Sequence, residues 1–165
     1  MTNFENHARI EIGQNIARFA YRDEGRWDEL RDLFHPSATV SVSWYRGSIA
    51  GFIDASRAME GAPRILTKHW FGVPRVQVKD GRALSEVDVM IMVRSKAGPI
   101  EIDVTSYARF FDRFVQCEDG RWRIAERTAI YEKDRIDPVQ PSLLFNLVYR
   151  LARFRRFPVE YRRMV

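Results

Sequence analysis

Cysteine is almost missing from this chain: Cys117 is the only one in 165 residues. That excludes an internal disulfide and leaves no thiolate cluster for a metal. Histidine is nearly as scarce, with His7, His35 and His69 alone and no HxH or HxxxH spacing, so neither a metal nor another cofactor is expected. No glycine-rich phosphate or dinucleotide loop occurs, and no internal repeat or low-complexity segment is visible. Long apolar runs are absent too; none approaches the roughly 18 to 20 residues that a membrane span needs. The first residues, MTNFENHARIEIG, carry charges and no apolar h-region, so no secretory signal is read and a cytoplasmic location is expected.

What is present describes a globular domain. Hydrophobic residues make up 45% and charged residues 30%, enough for a core within a single domain. The net charge of +5 is unevenly placed. Residues 142–165 hold six arginines (Arg150, Arg153, Arg155, Arg156, Arg162, Arg163) against Glu160, so the preceding residues sum to zero. A neutral domain over 1–136 and a basic tail over 137–165 follow, and a domain-wide nucleic-acid footprint is not expected.

Along the chain, Phe4, Ile12, Ile16, Phe19 and Ala20 fall at helical spacing, and Gly25 interrupts the helix. Trp27, Leu30, Leu33 and Phe34 suggest a second short helix, ended by His35-Pro36. ATVSVSW (38–44) reads as a strand, and GFIDASRAM (51–59) as a third helix. From Leu66 onward, four β-rich runs are separated by KDG, SKAGP and EDG, which is hairpin chemistry. This is α+β, with helices segregated to one face of a curved antiparallel sheet.

A turn at 95–98 that pairs Arg94 with Pro99 puts Val87, Val89, Ile91 and Val93 on the helix-facing side. Glu86, Asp88, Met90, Met92, Glu101, Asp103, Thr105 and Tyr107 then face water or another subunit, so Asp88 and Asp103 are not expected to be catalytic acids. Asp119-Gly120 as a two-residue turn pairs Phe114 with Ala125, Asp112 with Arg127, Phe110 with Ala129 and Ala108 with Tyr131. The Asp–Arg pair is chemically sensible, and Tyr131 shares a face with Phe110 and Phe114.

His69, in LTKHWFGV, stands among apolar residues and is either a satisfied core histidine or a proton carrier in a pocket. Asp23 precedes the second helix and on its own reads as an N-cap. His35 suits a helix C-terminus and His7 a solvated helix position.

The stretches YRDEGRWDELRDLFHPSATVSV, LTKHWFGVPRVQVKDGRALSEVDV and DGRWRIAERTAIYEKD, in this order, resemble the SnoaL-like branch of the NTF2-like superfamily over about residues 5–135. The resemblance is nearest to scytalone dehydratase, bile acid 7α-dehydratase and lindane dehydrochlorinase. It implies a cone-shaped, strongly bent sheet around the N-terminal helices and an apolar pocket. It also implies that His69 removes a proton from substrate while Asp23 hydrogen-bonds the imidazole. Departures are plain: Arg22 stands where scytalone dehydratase has Tyr, with Tyr21 one place back. SYARFFDRF holds no second pocket histidine, and Tyr131 replaces an arginine of the bile acid enzyme.

The expected function is a cofactor-independent lyase or isomerase, dehydratase-like, acting on a hydrophobic small molecule. His69 and Asp23 are the candidate catalytic pair, with Tyr131, Tyr21, Trp44 and Phe110 as candidate substrate contacts. Tyr45, Trp70 and Phe71 are further aromatic residues that either shape the pocket or fill the core. The alternative is a noncatalytic ligand-binding or assembly module, like the dioxygenase β subunits to which WRIAERTAIYEKD is also similar. Leu144, Leu147, Val148, Leu151 and Phe154 form an apolar stripe in the tail, read as packing on the domain or a neighbouring subunit rather than on a membrane. A homo-oligomer is expected, a trimer before a dimer.

Overall fold

The computed structural model describes residues 3–60, 66–98 and 100–139. The basic tail expected over 137–165 lies outside them apart from its first residues. Helix α1 (Asn3–Arg18) runs into a 3-10 helix (Phe19–Arg22), followed by α2 (Trp27–Asp32), β1 (Phe34–Val42), β2 (Tyr45–Ser48) and α3 (Ile49–Glu60). The rest is β3 (Leu66–Phe71), β4 (Arg75–Lys79), β5 (Arg82–Ala97), β6 (Ile100–Gln116) and β7 (Trp122–Pro138). Among the described residues, no helix is long and apolar enough to cross a membrane.

The sheet order is β2-β1-β7-β6-β5-β3, with β4 pairing the first part of β5. The α+β class holds, but the cone-shaped antiparallel sheet does not: this sheet is mixed and is not strongly curled or closed. β1 and β7 run parallel, and β2 and β3 end the order without meeting. The β5–β6 ladder is unbroken from Arg82↔Val115 to Ala97↔Ile100, and the irregularities lie in the β6–β7 and β1–β7 ladders.

Other boundaries move for local reasons. His35 and Pro36 lie inside β1 instead of ending a helix, and the β1–β7 register shifts between Phe34 and Thr39, which lets a proline sit in the strand. The first β-rich run breaks at Gly72–Pro74 into β3 and β4, making five strands where four were expected. Phe4 is exposed at the start of α1, whereas Ile12, Ile16 and Phe19 are buried.

The turns show how register survives. Asp80 and Gly81 have φ of 48° and 69°, as a two-residue type I′ hairpin requires. The Gly98 turn pairs Ala97 with Ile100, so Arg94 meets Asp103 rather than Pro99. That four-residue slip is even, and an even slip preserves the faces: Val87, Val89 and Ile91 are buried as expected. The β6–β7 turn is one residue longer than expected, pairing Phe114 with Ile124 instead of Ala125. A register shift between Arg113 and Phe114 then restores Asp112↔Arg127, Phe110↔Ala129 and Ala108↔Tyr131.

Ala8, Ile12, Ile16 and Phe19 from the helical side pack with Val87, Val89, Phe110, Phe114 and Ile124 of the inner sheet face. Polar ties fix α1 on the start of β7: Asn15 Nδ2 donates to the Trp122 carbonyl at 2.6 Å, and the Trp122 N–H donates to Glu11 at 2.9 Å. On the outer face, Arg94 grips Asp103 with bonds of 2.7 and 2.6 Å, and Arg75 lies 3.6 Å from Asp88. Both acids are therefore surface ion-pair partners, as their strand parity suggested.

Candidate functional site

Asp23 does not cap α2. That helix starts after Arg26, which makes no side-chain cap, while the Asp23 N–H closes the 3-10 turn onto the Ala20 carbonyl at 2.9 Å. Gly25, at φ 70°, reverses the chain, and the Arg26 N–H returns to the Tyr21 carbonyl at 2.9 Å. This tight loop delivers the Asp23 side chain, 3% exposed, onto β3.

There it makes two bonds to one residue. Oδ2 accepts the His69 backbone N–H at 2.7 Å, and Oδ1 lies 2.7 Å from His69 Nδ1. β3 is the last strand of the sheet order, so the first bond satisfies a backbone donor on an otherwise open edge. A carboxylate only accepts, which places the imidazole proton on Nδ1 and leaves the Nε2 lone pair as the basic position.

Three phenylalanines surround the imidazole. Phe19 meets it edge-on at 5.5 Å, Phe71 stacks near parallel at 6.1 Å, and Phe110 lies tilted at 6.3 Å. Burial in this apolar setting pushes the His69 pKa below the ordinary histidine value. The Asp23 hydrogen bond and charge oppose that shift, and the Arg22 and Arg127 guanidinium groups add to it. His69 is thus a neutral imidazole at pH 7, aligned by a buried acid.

The other candidates are distributed unevenly. Phe110 is buried and forms part of the imidazole surround. Tyr131 is half-buried against the core, opposite Ala108. Tyr21 is half-buried, with the Arg26 guanidinium 4.0 Å from its ring centre. Trp44 is 43% exposed and stacks on Phe52 at 5.3 Å, linked to the imidazole only through Phe52 and Phe19. Trp70 points outward at 67% exposure and shapes no inner pocket. His7 is exposed on α1, and His35 bonds Ser37 at 2.7 Å within β1.

Two clefts lie elsewhere. One, of about 1030 Å³, is lined by residues including Arg31, His35, Cys117 and Arg123. The other, of about 340 Å³, lies on the outer face beside Trp70, Met90 and Tyr107. Neither is lined by His69 or Asp23. On the inner face, Val42, Phe71, Val93, Ala129 and Tyr131 are only partly buried, unlike the core beneath them. Among the described residues, no three of His, Cys, Asp and Glu cluster as a metal site.

The expected Asp112–Arg127 pair forms, but wholly buried, joined through Nε–Oδ1 at 2.7 Å and Nη2–Oδ2 at 2.6 Å. The pairing was readable from the hairpin, but its burial was not. The available signal was parity, since Asp112 lies two residues from the buried Phe110, on the same face, and Arg127 is its cross-strand partner.

Comparison with known proteins agrees with the order of elements. A curated but uncharacterized protein of Aspergillus terreus is 25% identical over 159 residues, 87% of this chain, and the match spans only 58% of that longer protein. A solved Novosphingobium aromaticivorans structure, described as a "Putative Scytalone Dehydratase", superposes with a TM-score of 0.69 at 18% identity, covering 86% of this chain and 95% of that one. The β subunit of a "putative aromatic-ring-hydroxylating dioxygenase" from the same organism gives 0.61 at 17% identity, covering 86% and 97%. At these identities the two structures speak for the fold alone. The SnoaL-like domain model matches residues 5–128, three quarters of the chain, and the protein therefore belongs to the SnoaL-like family within the NTF2-like fold.

Proposed function

We propose that this protein is a cofactor-independent lyase or isomerase of the dehydratase type, acting on an apolar small molecule that bears an acidic C–H beside a carbonyl or ring. The observation that carries the reading is the double grip of Asp23 on His69, which leaves Nε2 as a neutral base. In the forward step Nε2 takes the substrate proton, and the electron pair of the broken C–H bond becomes a C=C bond as the C–O bond breaks. Asp23 stabilises the imidazolium, which returns its proton to the departing hydroxide as water. Substrate reaches Nε2 between the half-buried Phe71, Ala129 and Tyr131, with Tyr131 or Tyr21 donating to a substrate oxygen and Phe110 forming a wall. Trp44 would contact only a substrate long enough to extend to the β1–β2 turn.

The full chain should be incubated with apolar β-hydroxy ketones, and the absorbance of the conjugated product followed. His69→Ala should abolish turnover. Turnover that survives this substitution sinks the assignment. The noncatalytic reading draws on the location of both clefts away from His69. It predicts ligand binding, without turnover, that His69→Ala leaves unchanged.

A further inference from the structure

The buried Asp112–Arg127 pair has no obvious reason in stability. Replacing a buried ion pair by apolar residues of similar size is often neutral or stabilising, and this pair leaves Arg127 Nη1 without a hydrogen-bond acceptor among the described residues. Its surroundings suggest another role. The fork to Asp112 occupies the Nε/Nη2 edge and locks the guanidinium plane. The cation lies 4.3 Å from the Phe19 ring centre and 4.5 Å from that of Phe110. Those two rings meet edge to face at 5.6 Å, and both pack on His69. Phe19 also opens the 3-10 helix whose C-terminal neighbour is Asp23.

We propose that Arg127, fixed by Asp112, is a positioning residue for the His69–Asp23 pair, clamping through Phe19 and Phe110 both the imidazole and the turn that carries Asp23. The proposal rests on the reading of His69 as a base and deepens it. Arg127 acts through the two rings and does not touch substrate. Its charge adds only a minor effect. The charged groups acting on His69 are Arg22 and Asp23 from the 3-10 turn and Arg127 from β7, the last paired with Asp112 of β6, while the inner face of β5 beside it is apolar, with Val87, Val89, Ile91 and Val93. Burial is the main cause of the lowered His69 pKa, and the Arg127 charge, itself paired with Asp112, is the least of the causes that lower it.

The test is an NMR measurement on the histidine-labelled full chain, whose three histidines simplify assignment. Arg127→Lys keeps the charge and loses the planar stack. It should leave the His69 titration midpoint low while speeding solvent exchange of the Nδ1 proton roughly tenfold or more. The double variant R127Q/D112N removes the ion pair as a unit, and with it the clamp on the two rings, and should speed that exchange as well. Wild-type exchange in either variant overturns the proposal; should the double variant fail to fold, Arg127→Lys decides alone. These readouts need no substrate. Faster exchange without turnover on any substrate would sink the lyase reading only, whereas unchanged exchange in an active enzyme would sink this proposal only.

Discussion

A hydrogen bond to a backbone amide rarely decides what a histidine does, but here it removes a degree of freedom that matters. One carboxylate holds both the His69 amide and Nδ1, so the ring cannot flip without breaking a buried charge-assisted bond. Asp23→Asn should accordingly lower kcat by about 10² to 10⁴, because an amide no longer enforces the tautomer or stabilises the imidazolium. Steady-state kinetics on any substrate found by screening will check this, with an unchanged kcat arguing against the pair as a base. A different residue-scale prediction concerns stability. Asp112→Ala leaves Arg127 buried and unpaired, which should cost about 3 to 5 kcal/mol in urea unfolding. A loss below about 1 kcal/mol would show that the guanidinium finds other partners.

At the scale of elements, hairpin chemistry does much of the organising. The Asp80-Gly81 turn holds both residues at positive φ. Gly81→Ala places a side chain in the left-handed region and should cost about 1 to 2 kcal/mol in unfolding free energy. No neighbouring atom lies within 4 Å of the added methyl, so any loss comes from backbone conformation and not from a clash. The turn that closes β6 and β7 shows a subtler rule. Its extra residue alone would have rotated Tyr131 to the other face, yet the shift near Phe114 cancels it before the strand reaches the dyad.

For the whole molecule, the depressed pKa of His69 makes stability depend on pH. The unfolded chain binds the proton more readily, so between the folded and ordinary values it carries more protons and stability rises with pH. The contribution of the neutral buried imidazole is complete above about pH 6.5 and is lost as pH falls through the lowered folded value. Asp119 adds a later step. Its bond to Arg123 holds its pKa at about 2, so its contribution is present above the ordinary carboxylate value and disappears as pH falls through about 2. Urea midpoints should fall from pH 7.5 to pH 5 in the wild type and less so in His69→Phe. Equal slopes would mean that His69 does not titrate with unfolding.

The sequence by itself determined the three helices in outline, the hairpin strands after Leu66, and the inner and outer faces of the long strands, while β2 and the break between β3 and β4 were not legible. Period-two alternation is local, so Val87, Val89 and Ile91 could be placed on the buried face even though their partners were misread by four residues. Family resemblance supplied the link between Asp23 and His69. Tertiary structure alone decided between a cap and a partner for Asp23, because both use the same acceptor atoms and only the Gly25 reversal selects β3. It also decided the open, mixed sheet, since the β1–β7 parallel contact joins segments some 90 residues apart and leaves no local signature. Parity could put Arg127 on the inner face but not show it enclosed there: a charged residue within a strand looks solvated until a facing acid and two aromatic rings, from other parts of the chain, close over it.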